Sequence, residues 1–178
     1  MQEIRDNYAY GRDMWQEARE QRQIDLRYLL GDPWDEEDRK AREDAGRPCI
    51  SHDELNQYVN QCVNSARQNK RGVKVEPAGN GATDKTAEYR QNHVRAIEYK
   101  SKAPAIYLNA FQNEVEGGYG FCRISRRFVP GSFDQEIVVK PISNPDSVIY
   151  DPDCKEPDWR DAGWCFVLEP LPSREFKK

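Results

Sequence analysis

Around Gly117, Gly118 and Gly120 the chain changes its periodicity, and that change limits the folds open to it. Before these glycines, apolar residues recur at three- and four-residue spacing, the pattern of helices with one buried stripe. After them come the short β-branched and aromatic runs FCRISRRF, EIVVKPI, SVIY and GWCFVLE, split by Pro, Gly, Asn and Asp. These runs read as antiparallel strands of one small sheet. Helices first and strands after define an α+β fold, long amino-terminal amphipathic helices followed by a small antiparallel β-sheet. The expected division is a mainly helical portion over residues 1–120, a sheet portion over 121–172 and the start of a truncated helix at 173–178.

Within the helical portion, Ile4, Tyr8, Trp15, Ala18, Leu26 and Leu29 form one stripe and predict a single helix over 4–30. Gly31 stands where a carboxy-terminal cap belongs, with Pro33 beyond it. DEEDRKAREDAG has its acids first and bases after, which suits a short helix dipole and a Glu36–Lys40 pair. Ser51 and Glu54 have the spacing of a capping box, opening a helix that buries Leu55, Val59, Cys62, Val63 and Ala66. VKVEP reads as a short strand. Thr83 or Asp84 caps the next helix, with Val94 and Ile97 inward. Pro104 starts PAIYLNAFQNEVEGG, which is apolar on more than one face and is expected to be the most buried helix.

The 178 residues suffice for one domain of usual size, yet only 37% are hydrophobic and 33% are charged. With a mean hydropathy of −0.99, this balance fits a domain with long amphipathic helices or a piece of a larger assembly. The net charge of −4 argues against a general DNA-binding module, since phosphate neutralisation supplies most non-specific affinity. Five cysteines without a C-x-x-C, and a start (MQEIRDNYAY) without an apolar core, read as reduced thiols in a cytoplasmic setting. No apolar run approaches the roughly 20 residues that span a bilayer.

The segment NPDSVIYDPDCKEPDWRDAGW, residues 144–164, carries the one pattern with catalytic chemistry in it. Asp146, Asp153 and Lys155 have the types and order of a magnesium-dependent nuclease, in which carboxylates hold the metal and a lysine polarises the water or the phosphate. That chemistry needs Asp153 and Lys155 on a strand, facing the same way. Pro152 and Pro157 make a turn the better reading. The acids Asp151, Asp153, Glu156, Asp158 and Asp161 fail the EF-hand pattern, because Lys155 and Glu156 stand where an Asp or Asn and a Gly are needed. GGYG follows a helix and precedes strands, the reverse of a phosphate loop, so it reads as helix termination. Cys49 and His52 lack a second pair for zinc, and His93 lies on a charged helix face. Lys70 and Arg71 end a helix, where positive charge suits the dipole. Arg126 and Arg127 are the better candidates for an interface or phosphate contact. No cofactor and no catalytic residue is assigned.

Taken in order, several blocks resemble one family, the portal proteins of short-tailed double-stranded DNA phages. They are GDPWDEEDRKAREDAGRPCISHDELNQYVNQCVNSARQNKRGVKVEP, TAEYRQNHVRAIEYKSKAPAIYLNAFQNEVEGGYGFCRISRRF and QEIVVKPISNPDSVIYDPDCKEPDWRDAGWCFVLEPLPSREF. The shared features are an acidic turn with tryptophan, a Gly-Arg-Pro, a polar Asn- and Gln-rich helix, and an Asn-Pro…Asp-Pro turn ahead of a strand. The resemblance implies a structural subunit without catalysis, in a ring usually of twelve copies at one capsid vertex. It implies partners: its own copies, the packaging motor terminase, capsid and tail proteins, and duplex DNA passing without sequence recognition. It implies a virion location, with host cytoplasm during assembly. Family members are several times longer, so this chain matches the amino-terminal portion, part of the outer wing, without stem or clip. Two other functions stay open from the residues alone: the nuclease, and a small head–tail adaptor complete at this length.

Overall fold

Six helices precede four short strands in the computed structural model, which describes residues 1–69, 72–79, 81–156 and 159–173. The α+β class therefore holds. The strands, expected in one sheet, form two separate antiparallel ladders. The contacts also group the chain differently from the change of periodicity near 120: Met1–Asp53 with Asn144–Lys178 is one unit, and Glu54–Ser143 is the other.

In the first unit, α1 (Gln2–Met14) and α2 (Gln16–Leu29) replace the single helix expected over 4–30. The junction is Trp15, at φ −91° and ψ 3°. The main-chain bonds continue across it, from Trp15 N to Gly11 O and from Arg19 N to Trp15 O. The indole Nε1 donates to Tyr150 O at 2.9 Å, which ties the bend to the strand beside it. Ile4, assigned to the inner stripe, is 55% exposed. The close contact falls instead at Gly11, where a Cβ would lie 2.5 Å from the Trp164 ring and 2.7 Å from Ile149 Cγ2. That space lets α1 lie directly on the ladder of β3 (Val148–Tyr150) and β4 (Cys165–Val167). Ile149, fully buried, is the centre of the unit.

Gly31 ends α2 as predicted. It adopts φ +76°, and Gly31 N and Asp32 N donate back to Tyr28 O and Arg27 O, the double bond of a Schellman cap. The helix α3 (Glu36–Asp44) closes the same way at Gly46. The ion pairs around it are Arg27–Asp35, at 2.5 Å, and Arg39–Asp32, where Glu36–Lys40 was expected.

The second unit begins with α4 (Leu55–Gln68), whose cap is Glu54 without a side-chain bond. The expected capping box is absent because Ser51 Oγ donates to Gly31 O at 2.6 Å. Leu55 and Cys62 are exposed and only Val63 is fully inside. VKVEP, residues 73–77, is not a strand; Val75 N donates to the Gln91 side chain at 3.2 Å, and among the described residues no ladder forms there. Thr83 caps α5 (Asp84–Ser101), its Oγ1 accepting from Thr86 N. Lys102 turns the chain at φ +53° into α6 (Ala103–Gly117). Ala103 and Ile106 of α6 pack with Val139 and Ile97, so this helix is the buried one, as its composition predicts. Gly118, at φ +84°, stops it. β1 (Cys122–Phe128) and β2 (Gln135–Pro141) then form a hairpin, with Ser101 Oγ accepting from Val139 N at 3.1 Å.

Candidate functional site

The acidic segment is held by its own carboxylates. Asn144 Oδ1 accepts from Asp146 N at 3.0 Å and starts a single 3-10 turn at Pro145–Ser147. Strand β3 ends at Tyr150, and the chain enters turns. Asp151 bridges that turn: Oδ1 accepts from Asp153 N and Oδ2 from Gly163 N, both at 3.1 Å. Asp161 closes it from the other side, accepting from Lys155 N at 2.8 Å and Glu156 N at 3.3 Å. Short carboxylates binding nearby main-chain N–H groups are what make Asp a turn residue.

The three residues of the nuclease pattern go to different tasks. Asp146 Oδ2 accepts from Arg22 Nη1 at 3.0 Å, and Arg22 is 6% exposed. Asp153 Oδ1 accepts from Tyr10 Oη at 3.2 Å. Lys155 is tied through its main chain to Asp161 and lies in a turn with Asp153 rather than on a strand. Sequence reading missed Arg22 and Tyr10; their distance along the chain, more than a hundred residues, left no local signal.

Aromatic packing completes the turn. The Tyr150 ring stacks on Trp159 at 4.3 Å and meets Trp15 at 4.4 Å. Trp159 takes φ +54° to reach that place, a left-handed conformation that costs a bulky residue on the order of 1–2 kcal/mol. Burial pushes the Tyr150 phenol up to about 12. Trp164 lies against Phe166 at 5.2 Å. Trp34 donates to Ile50 O and carries the Arg42 guanidinium over its ring. Each of the four tryptophans is thus engaged within its own unit.

The hydrogen bond from Lys155 N, followed by that from Glu156 N, holds the Asp161 carboxyl below its ordinary 3.8. A depressed folded-state value means stability that is present above the unfolded value and lost as pH falls through the folded one. Asp161→Asn is therefore expected to destabilise the chain at pH 6, with the gap from the parent narrowing as pH falls below about 3.8. Urea unfolding midpoints at pH 6 and pH 3 measure this.

Of the basic candidates, Lys70 and Arg71 lie outside the described residues. Arg126 and Arg127 lie on β1 and are exposed. Arg127 Nε donates to Glu136 Oε1 at 2.7 Å, and this bond, with one from Lys100, holds the Glu136 carboxyl low. Arg126 stands opposite Ile137 on the neighbouring strand. His52 and His93 are exposed. The five cysteines are free thiols. Among the described residues no group of three His, Cys, Asp or Glu is placed to hold a metal ion, and no helix is long and apolar enough to cross a membrane.

Comparison with known proteins follows the same direction. The family model described as phage P22-like portal protein matches residues 5–178. The portal protein of Acyrthosiphon pisum secondary endosymbiont phage 1 is 28% identical over 135 residues, covering 73% of this chain. The chain spans 19% of the length of that curated relative.

Proposed function

This chain belongs to the phage P22-like portal protein family, and from that premise we propose that it is the amino-terminal, wing portion of a portal subunit. The subunit is structural. Copies close into a ring, of twelve in the reading favoured by the resemblance, at one vertex of the capsid. The ring admits DNA during packaging, joins head to tail, and docks the terminase motor and the capsid and tail proteins. Its place is the virion, with assembly in host cytoplasm. The observation that carries this reading is the family match over residues 5–178, which also favours it over a small head–tail adaptor.

The geometry of the acidic turn supports the absence of a chemical step. Carboxylates that would hold magnesium are spent on Arg22, Tyr10 and main-chain N–H groups. Supercoiled plasmid incubated with the protein and magnesium is expected to stay intact. Nicking that disappears in Asp153→Ala would return the nuclease reading.

The role itself is tested in infected cells. Phage lacking the gene are expected to build shells that contain no DNA, and supplying the gene in trans should refill them. Filled heads in its absence would refute the role.

A further inference from the structure

The two units carry opposite charge. Residues 54–143 hold 13 Lys and Arg against 9 Asp and Glu, a net +4, while the rest of the chain holds 14 against 22, a net −8. The charge difference is invisible in the chain's total of −4. On the basic unit, the β1–β2 hairpin has an unusual surface. Ile124 is 73% exposed, Phe128 63% and Phe133, at the hairpin loop, 99%. Side chains alternate along a strand, so Ile124, Arg126 and Phe128 share one face of β1, with Val139 and Ile137 opposite Ile124 and Arg126 on that face. Val139 is buried against Ala103 and Ile106, while Ile124, Arg126, Phe128 and Ile137 stay exposed. Among the described residues no strand pairs with the outer edge of β1. The bonds from Val139 N to Ser101 and from Val129 N to Asp134 fix the ladder's phase and turn the main-chain groups of Ile124 and Arg126 towards that open edge.

An exposed seven-residue edge strand invites a partner, and apolar side chains clustered around an arginine mark a protein interface. Phosphates would satisfy Arg126 but leave Ile124, Phe128 and Phe133 in water, so the chemistry favours a protein over DNA. The surface that complements this one in charge is the acidic unit of another copy. Contacts that use two different patches, one from each copy, are head-to-tail, and they make a ring when the rotation between copies closes.

We propose that the exposed face of the β1–β2 hairpin is a subunit interface, by which the basic unit of one copy seats on the acidic unit of the next. This rests on the portal reading and names the surface that reading requires. Opposite charges steer the encounter and fix its direction, and Ile124, Phe128 and Phe133 supply the apolar contact.

The test uses the full-length gene product. Its assembly is followed by sedimentation across a range of protein concentrations, for the parent, for Arg126→Glu with Phe128→Glu, and for Arg90→Glu. Arg90 is an exposed residue in the first half of α5, whose hydrogen bonds to the hairpin come from Lys100 and Ser101 at the helix's other end. The double variant is expected to need about tenfold or more protein to form rings, with an unchanged circular dichroism spectrum. Arg90→Glu is expected to assemble as the parent does. Parent rings with equal assembly of the double variant would overturn the interface and leave the portal reading standing. An equal loss in Arg90→Glu would overturn it too, by showing a net-charge effect. Normal rings that fail only in holding DNA would assign the face to DNA. If the double variant fails to fold, hydrogen exchange on the parent decides: the amides of Ile124 and Arg126 are expected to exchange at least about tenfold more slowly in rings than in unassembled protein, and equal rates would overturn the proposal. A parent that forms no rings at all would remove the portal reading, and the interface with it.

Discussion

Replacing Gly120 by alanine is expected to lower the unfolding midpoint of the chain by about 6–12 °C. A Cβ at this position would sit 1.8 Å from the carbonyl oxygen of Ala110 and 2.7 Å from its carbonyl carbon. Both are main-chain atoms of α6, so no rotamer change relieves the overlap. The chain passes close against α6 here before entering β1, and only a residue without a side chain fits the gap. Separating the segments would disturb α6, whose Ala103 and Ile106 form the core of residues 54–143 with Val139. Overpacking costs typically about 1–3 kcal/mol, occasionally more. An overlap with main-chain atoms belongs at the upper end, about 3 kcal/mol, and about 2–4 °C per kcal/mol is the scale for a chain of this size. Hydrogen exchange should place the new lability in α6 and the hairpin. A melting temperature within about 1 °C of the parent would show that the approach at Gly120 is looser than described.

Ile149→Ala is expected to destabilise the other unit by about 2–5 kcal/mol, the range for truncating a buried aliphatic side chain and leaving a cavity. Ile149 is fully buried and contacts α1 at Gly11, where the helix has no side chain to fill the space lost. The neighbours Trp164 and Tyr150 are pinned by ring contacts and by the Trp15 bond, which limits collapse into the cavity. Urea unfolding with residue-resolved exchange checks the size and the place, which should be α1 and β3.

These two positions mark where sequence reading stops. Local signals carried what local physics controls. The Gly31 and Gly118 terminations, the Thr83 cap and the buried character of PAIYLNAFQNEVEGG could all be read from neighbouring residues. So could the turn at 151–156, since Pro and Asp act within a few residues of themselves. Contacts made across the chain left no such trace. Ser51 has the spacing of a cap, but Gly31 O, twenty residues away, takes its hydroxyl. Trp15 belongs to a helical stripe, but its indole donates to a carbonyl of β3 and the helix is interrupted there. VKVEP has strand composition and no strand beside it. Gly11 and Gly120 matter for what packs on them, which spacing does not encode.

The candidate site was legible as chemistry and not as geometry. Asp146, Asp153 and Lys155 were visible as types, but their partners Arg22 and Tyr10 come from α1 and α2. The basic hairpin was visible as Arg126 and Arg127. The exposure of Ile124 and Phe128 beside them was not, because a strand's pattern does not say which face finds a partner.

The central claim, a structural subunit that works by closing into a ring, is tested most directly by electron microscopy of the purified full-length gene product. Annular particles with an axial hole and a fixed subunit number are the predicted result. Compact single copies at every protein concentration would contradict it.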